Sequence, residues 1–190
     1  MKLPPPAQRR PKYKRSIVCE GFEREDGLWD IEARLIDTKA VRYREPFRGV
    51  REPGEHVHDM ALRLTIDNDK VVRGVEAAML DVPYVPCESA LPAYQALIGK
   101  KIGKGWRRAV QDSVGGVKGC THLCELLFPM ATVAYQTLGR WGEDEHPIAP
   151  PDPKAKAERP HFIDGCKAWA LDGEIVARLY PHFHRKAKAG

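Results

Sequence analysis

DGLWDIEARLID, residues 26–37, is the stretch of this chain that decides the fold. It opens with Asp26-Gly27, a dipeptide typical of the tight turn in a β-hairpin. Apolar and charged side chains then alternate, with Trp29, Ile31, Ala33 and Leu35 against Asp30, Glu32 and Arg34. Because successive side chains of a strand lie on opposite faces, residues 28–37 predict a strand with one apolar and one polar face. Residues 17–23, before the turn, predict the other strand of this hairpin.

A second hairpin is predicted further along the chain. A period of two places six side chains on one face of its first strand, namely His56, His58, Met60, Leu62, Leu64 and Ile66. Asn68-Asp69 predicts the turn, and the returning strand carries Val71, Val75, Ala77 and Met79. The long connection of residues 38–55 separates the two hairpins.

Three helical segments are predicted after the hairpins. Residues 89–98 begin at Ser89, a residue type that caps helix N-termini, and residues 106–114 end before Gly115-Gly116. Residues 121–138 begin at Thr121, another cap, and Pro129 either kinks this helix or starts a new one. A sheet followed by helices indicates an α+β domain, in which antiparallel β-hairpins pack against two or three helices.

Composition divides the chain into four segments. Residues 1–14 predict a disordered basic arm, since prolines and a charge cluster leave nothing to bury, and the basic residues there and at Arg15 are expected to be solvated. Residues 15–140 predict the α+β core domain, and residues 141–161, rich in proline and charge, predict a linker. Residues 162–190 predict a C-terminal hairpin that turns at Asp172-Gly173 and packs Trp169 with Val176, followed by a basic tail.

Composition also bounds the compartment and the partners. The chain has 190 residues, 43% of them hydrophobic, and a formal net charge of +5. No stretch approaches the roughly 18–20 apolar residues that span a bilayer, and the N-terminus lacks the apolar segment of a secretory signal. We therefore expect a cytoplasmic protein with no membrane partner. The cysteines at 19, 87, 120, 124 and 166 are an odd number, which favours reduced thiols or a metal site over disulfides.

The segment GCTHLCE, residues 119–125, is the strongest candidate for a site. It follows a glycine break at the predicted start of a helix, where unpaired amides and the helix dipole favour thiolate over thiol. Cys120 precedes the helix, whereas Cys124 falls on the apolar stripe and is most simply a small core residue. His122 could be a metal ligand, could orient the Cys120 thiol, or could form a surface pair with Glu125.

Two further residues join this candidate site. His58 lies on the core face of its strand but at the entry end, where the N-terminus of a helix could bring Cys120 to it. A histidine at the margin of the core is the alternative interpretation. Cys87, between Pro86 and Glu88, is a second thiol at the start of a predicted helix. Asp59 points away from the core face and could orient a neighbouring group only if the strand is bulged.

The chain resembles two known families. Residues 26–39, 53–67 and 119–123 closely resemble a bacterial domain family of unknown function, a likeness that covers most of the chain and implies no activity. The order of His58, a hairpin, Cys87 and the Cys120–His122 segment resembles, more distantly, the iron-sulphur cluster assembly scaffold fold. That resemblance implies an iron-sulphur-scaffold-like core.

The scaffold resemblance also implies a set of metal ligands. Carried over residue by residue, it assigns His58, Cys87, Cys120 and His122 as ligands of zinc or iron. The cysteine of the scaffold's Cys-Gly-Asp motif is replaced here by His58, and its Gly-Cys-Gly loop is absent around Cys87. Two thiolates and two imidazoles suit zinc or another borderline-soft metal.

Three functions remain open at this stage. The first is metal binding, which is structural if four ligands close the site and catalytic if three ligands leave room for water. The second is a metal-free enzyme for an anionic small-molecule substrate, with Cys120 as nucleophile or acid and His122 or His58 as its proton partner. In that enzyme the Gly115–Gly119 loop and Lys118 would hold the anion.

The third function is nucleic-acid binding by a basic segment around Trp106, formed by Lys100, Lys101, Lys104, Arg107 and Arg108. Aromatic residues between basic ones can stack bases while the cations neutralise phosphates. The modest net charge and the absence of a nucleic-acid-binding motif disfavour this function.

Overall fold

The structure, a computed structural model, describes residues 3–139, 159–160 and 162–185. The described residues fall into two compact units, one within residues 1–139 and the other within residues 140–190. The first unit contains a sheet followed by helices, so the predicted α+β class is confirmed. Among the helices within the described ranges, none is both long and apolar enough to span a bilayer.

The first unit is built on a four-stranded antiparallel sheet. Its strands are β1 (Tyr13–Glu23), β2 (Trp29–Lys39), β5 (His56–Ile66) and β6 (Val72–Asp81), in the order β1-β2-β5-β6. Both predicted hairpins are therefore present and lie side by side. The β1–β2 turn contains Gly27 with φ +79°, a left-handed conformation that glycine adopts without strain. The connection between the hairpins forms a small hairpin of its own, β3 (Tyr43–Glu45) and β4 (Gly49–Arg51).

Helices α1 (Trp106–Val114) and α2 (Thr121–Gly139) follow the sheet, and α2 contains Pro129 without ending there. The prediction of a helix capped by Ser89 is wrong. Residues Val85–Leu97 form a long 3₁₀-helical segment, in which the hydroxyl of Ser89 donates to the carbonyl of Pro86 at 2.6 Å. Pro86 and Pro92 both lie in this segment and provide no N–H for its backbone hydrogen bonds, whereas α2 contains one proline.

The cap predicted at Thr121 is displaced by one residue. Thr121 is already helical, and the residue before it, Cys120, has the carbonyl that accepts the first helical N–H, from Cys124 at 2.9 Å. Cys120 therefore occupies the capping position itself. The candidate thiol is fixed to the first turn of α2 rather than carried on a preceding loop.

The core lies between one face of the sheet and the helices. Buried side chains of the sheet include Ile31, Leu35, Met60 and Leu64, and α2 contributes Leu123, Leu126, Leu127, Met130 and Ala134. Gly21 lets α2 approach β1 closely, because a Cβ at that position would lie 1.9 Å from Oγ1 of Thr137. This packing places the N-terminus of α2 near the ends of β2 and β5.

The second unit corrects the prediction for the C-terminal region. The predicted hairpin is wrong, because the described residues contain a 3₁₀ turn at Lys167–Trp169 and a short helix, α3 (Glu174–Leu179). Asp172-Gly173 precedes this helix, where the carbonyl of Gly173 accepts the N–H of Ala177 at 3.0 Å. The buried side chain of α3 is Val176. The dipeptide thus supplies a helix N-terminus rather than a hairpin turn.

The other predicted boundaries have mixed outcomes. β1 begins at Tyr13, so the last two residues of the predicted arm belong to the sheet, and residues 3–12 are exposed. Their predicted disorder stays a prediction. Of the predicted linker, residues 141–158 and 161 lie outside the described residues, as do residues 186–190 of the predicted basic tail.

Candidate functional site

A pairing between β2 and β5 places a carboxylate opposite an imidazole. Asp37 continues the core face of β2 beyond Leu35, and its cross-strand partner in β5 is His58. The β2–β5 register shifts immediately afterwards, between Asp37 and Thr38, as at a β-bulge. From the first turn of α2, His122 brings its ring centroid to 4.0 Å from that of His58. Three elements therefore meet at one end of the core face.

Asp37 is fully buried and heavily hydrogen-bonded. Nε and Nη2 of Arg15 each donate to its carboxylate at 2.8 Å, and Nδ1 of His58 lies 2.9 Å from Oδ2. Burial alone would raise the pKa of this carboxyl group, but hydrogen bonds from Arg15, Tyr13 and His58 outweigh it and lower the pKa to about 2. Asp37 is consequently ionised over the whole physiological range.

The carboxylate of Asp37 determines how His58 can act. A carboxylate accepts hydrogen bonds, so Nδ1 of His58 is assigned the proton and donates to it. In a neutral ring with this tautomer, the other nitrogen, Nε2, carries the lone pair that could bind a metal or accept a proton. This is the arrangement in which a carboxylate orients a metal-binding or proton-transferring histidine. His58 is only 9% exposed, so its ring is held by the fold as well.

His122 and Cys120 complete the group of chemically active side chains. Sγ of Cys120 lies 3.8 Å from Nδ1 of His122. Burial lowers the pKa of His122, and the neighbouring His58 and Arg15 act in the same direction, which favours a neutral imidazole. A neutral imidazole can bind a metal or accept a proton. Nitrogen and sulfur ligands of one tetrahedral zinc ion would lie about 3.6 Å apart, so the observed spacing fits this geometry.

The backbone of Cys120 is held from two sides. The hydroxyl of buried Tyr94 donates to the carbonyl of Cys120 at 2.9 Å and accepts its N–H at 3.1 Å. Gly119 passes so close to Val114 that an added Cβ would lie 2.4 Å from the Val114 carbonyl oxygen. Glycine before Cys120 is therefore a packing requirement. The thiol position is set by the core rather than by a mobile loop.

Arg15 connects the site to α2. Besides its two bonds to Asp37, its Nη1 donates to Oε2 of Glu125 at 2.5 Å. The expectation that Arg15 belongs to a solvated tail is therefore wrong, because a buried carboxylate attracts it into a two-pronged ion pair. The His122–Glu125 surface pair is likewise replaced by the Arg15–Glu125 pair.

A cavity of about 380 Å³ opens beside the histidines. His58 and His122 line it together with Lys39, Tyr43, Arg44 and Tyr84, among others. The β3–β4 hairpin forms part of its wall and is held by Arg48, which forms ion pairs with Glu45 and Asp81 and donates to the carbonyl of Val57 at 3.2 Å. The site therefore has an anchored wall and space for a small ligand.

One group of potential metal donors is found within the described ranges. Donor atoms of Asp37, His58 and His122 all lie within 4.8 Å of one another. Asp37 already accepts bonds from Arg15 and His58, so it is better suited to orienting His58 than to binding a metal directly. Cys120 lies beside His122 but outside this group.

Cys87 differs from Cys120, because the described contacts do not join it to Asp37, His58 or His122. It lies inside the 3₁₀ segment, where its N–H donates to the carbonyl of Tyr84 at 3.1 Å. The side chain of Tyr84 lines the cavity, so Cys87 is a neighbour of the site in sequence. Asp59 binds Arg34 through two hydrogen bonds of 2.7 and 2.8 Å.

The basic segment near Trp106 is partly engaged within the chain. The guanidinium of Arg107 lies over the ring of Phe128 at 4.5 Å, and Nε of Arg108 lies 3.5 Å from Oδ2 of Asp112. Nζ of Lys118 donates to the carbonyl of Asp112 at 2.8 Å. The Lys118 ammonium is thus occupied at the C-terminal end of α1.

Sequence reasoning missed Asp37, although a signal was available. Asp37 follows Trp29, Ile31, Ala33 and Leu35 at the same spacing of two, so the alternation already placed a carboxylate on the apolar face. A charge on a buried face requires partners, which makes such a residue a functional candidate. Its partners Arg15 and Tyr13 had no comparable signal, because they approach from the neighbouring strand.

Comparisons with known proteins place the site within a family. A family model described as "Protein of unknown function (DUF2889)" matches residues 13–136, from the start of β1 into α2. This span contains Asp37, His58, Cys120 and His122. No curated protein and no solved structure matches the chain significantly.

Proposed function

The chain belongs to this family of unknown function, as residues 26–39, 53–67 and 119–123 predicted, and from its own residues we propose that it binds a transition-metal ion. The ligands are His58 and His122, with Cys120 as the third. The metal is zinc or iron. The observation that carries the proposal is the convergence of Asp37, His58 and His122, with donor atoms within 4.8 Å, at a cavity.

The chemistry of the donors supports a borderline-soft metal. Imidazole nitrogen binds zinc and iron well, and a thiolate shifts the preference away from magnesium and calcium. Asp37 acts behind His58, as the carboxylate that fixes its tautomer and ring orientation. Arg15 donates to both oxygens of Asp37 at 2.8 Å, and these bonds occupy the carboxylate that could otherwise bind the metal directly.

Three protein ligands leave one coordination position for water or substrate on the side of the cavity. His58, His122 and Cys120 would hold the ion, and a zinc ion in such a three-ligand site would supply Lewis-acid activation of water for hydrolysis or hydration. The protein's residues would orient the ion and shape the cavity. If Cys87 is a fourth ligand instead, the site is closed and structural.

Metal analysis of tag-free protein tests the proposal. We expect about one equivalent of metal after reconstitution of chelator-treated protein with zinc or ferrous iron. Cobalt as a substitute should give a thiolate-to-cobalt absorption band that Cys120→Ser removes, while His58→Ala and His122→Ala lose tight binding. Each chelated variant is checked for folding by thermal denaturation.

Matched controls come from the same chain. His56 lies two residues before His58 on the same strand and has a 39% exposed side chain, so His56→Ala should leave metal binding unchanged. Cys166 is an exposed thiol, and Cys166→Ser should keep the cobalt band. If Cys87→Ser removes metal as completely as Cys120→Ser, the site is structural. Failure of folded wild-type protein to bind any of the three metals would overturn the proposal.

A second candidate function is a metal-free reaction of Cys120. The distance of 3.8 Å from Sγ to Nδ1 of His122, with the lowered pKa of His122, favours a thiol beside a proton acceptor. Such an enzyme would act on an anionic small molecule. In chelator, iodoacetamide should then label Cys120 much faster than exposed Cys166 near neutral pH, and His122→Ala should remove the difference. Equal labelling rates would exclude this function.

A further inference from the structure

The cavity beside His58 and His122 carries two cations without a carboxylate partner. Lys39, at the end of β2, and Arg44, in β3, both line the cavity. Within the described part of the chain, neither forms an ion pair. Several arginines around them do so, namely Arg15, Arg34, Arg42, Arg48 and Arg51.

Neighbouring groups do not cancel this positive charge. Glu45 also lines the cavity, but its carboxylate is paired with Arg48. The ammonium group of Lys39 lies over the ring of Tyr43 at 3.9 Å from its centroid, a cation–π contact that keeps it at the cavity wall. Lys39 and Arg44 therefore give the lining two cationic residues that none of the described carboxylates neutralises.

The remaining walls suit a compact apolar body. Tyr43 and Tyr84 contribute aromatic rings, and Pro46 and Pro83 contribute aliphatic surface. The ring of Phe47 supports Tyr84 in an edge contact with centroids 5.8 Å apart. A volume of about 380 Å³ is at the lower end of the range for small-molecule sites and has room for a molecule that contains an aromatic ring.

We propose that this cavity binds a small anionic molecule, whose carboxylate or phosphate group is held by Lys39 and Arg44. Its apolar body lies against Tyr43 and Tyr84, and its other end faces His58 and His122. The role of the molecule as substrate rests on the proposed metal site. Anion binding by the two cations does not depend on it.

Titrations of chelator-treated full-length protein with benzoate, phenyl phosphate and inorganic phosphate test the proposal. Binding is followed by the amide resonances of Lys39, Tyr43 and Arg44 and by calorimetry. We expect saturable binding of benzoate or phenyl phosphate, and no binding of the neutral analogue benzamide. Preference between the two aromatic anions identifies the group as carboxylate or phosphate, whereas equal binding of inorganic phosphate would remove the aromatic part of the proposal.

Charge-removing variants locate the binding. Lys39→Met and Arg44→Met should each raise the dissociation constant by about tenfold or more, as expected for loss of a charge-assisted hydrogen bond. Arg42→Met is the control, because Arg42 lies in the same connection but pairs with Glu52. Binding that is absent below about 10 mM, or that all three variants weaken equally, would overturn the proposal.

Metal measurements on the same variants separate the two proposals. Lys39→Met and Arg44→Met should keep the metal content and the cobalt band of the wild-type protein. Loss of anion binding with metal retained supports the anion site. An anion that binds only to metal-loaded protein, and equally well to both variants, is a metal ligand and would refute the roles of Lys39 and Arg44. Wild-type protein that binds the anions but takes up no zinc, iron or cobalt would refute the metal proposal and leave the anion site standing.

Discussion

Replacing Asp37 by Asn removes one negative charge from the buried end of the core while keeping the size of the side chain. The carboxylate of Asp37 is fully buried and accepts two hydrogen bonds from Arg15 and one from His58. An amide can accept through only one of its terminal atoms, so these donors cannot all be satisfied. We expect the metal-free protein to lose stability at neutral pH.

The lowered pKa of Asp37 gives the size of the expected loss of stability. A pKa that falls from 3.8 in the unfolded chain to about 2 in the folded protein corresponds to roughly 2 kcal/mol of stability. The substitution also removes one of the two carboxylate partners of Arg15. Because the Arg15 side chain is 30% exposed and still pairs with Glu125, this loss adds little to the destabilisation. The expected loss for Asp37→Asn at pH 7 is therefore about 2–3 kcal/mol.

The same pKa determines the pH dependence. A carboxyl group with a lowered folded pKa stabilises the protein fully above its unfolded pKa, and that contribution disappears as the pH falls through the folded pKa. The difference between wild type and Asp37→Asn should therefore be constant from pH 7 to about pH 5 and be roughly halved near pH 3.

Urea denaturation of chelator-treated protein at pH 7, 5 and 3, followed by tryptophan fluorescence, measures this difference. Asp112→Asn is the control, because the Asp112 side chain is 67% exposed and pairs with the exposed Arg108, so this change should cost less than about 1 kcal/mol. A loss for Asp37→Asn below about 1 kcal/mol at pH 7, or one that stays constant down to pH 3, would refute the assigned ion pair.

Three further variants test the packing around the site. Tyr94→Phe leaves the N–H of Cys120 without its partner and should lower the free energy of unfolding by about 1–3 kcal/mol in urea denaturation; an unchanged value would contradict this contact. Gly21→Ala should lower the free energy of unfolding by about 1–3 kcal/mol, because the added methyl group meets Thr137 and pushes α2 from β1. Adding Thr137→Ala should recover part of this loss, and additive losses in the double variant would show that the two side chains do not clash. Leu126→Ala removes a fully buried side chain, so it should lower the melting temperature and reduce the free energy of unfolding by about 2–5 kcal/mol. A loss as small as that of an exposed leucine would show that α2 does not pack as described.

The candidate site was predictable to the extent that it follows from local pattern. The alternation in β5 placed His58 on the core face, and the glycine break before Cys120 marked the start of a helix. What the pattern could not show was which helix end covers which strand end. The iron-sulphur-scaffold-like core, the fourth ligand Cys87 and the choice of zinc or iron stay predictions.

Errors in the helical and C-terminal regions have a common physical cause. Ser89 and Asp172-Gly173 are short polar signals that suit several local structures, and tertiary packing selects among them. In the second unit, burial of Val176 accompanies a helix, so the same glycine that could close a hairpin starts α3. Period-two segments are more reliable, because a strand with one buried face allows only one arrangement of its side chains.

The sequence by itself determined the two hairpins, their apolar faces and the helices α1 and α2, because alternation and glycine breaks act within a few residues of each other. Only the tertiary structure decided the site. Asp37 and Arg15 are 22 residues apart, and Arg15 and Glu125 are 110 apart, so no local pattern connects them. Burying the carboxylate of Asp37 beside His58 required a cation from the neighbouring strand, and packing α2 on that strand brought His122 and Cys120 to the same place.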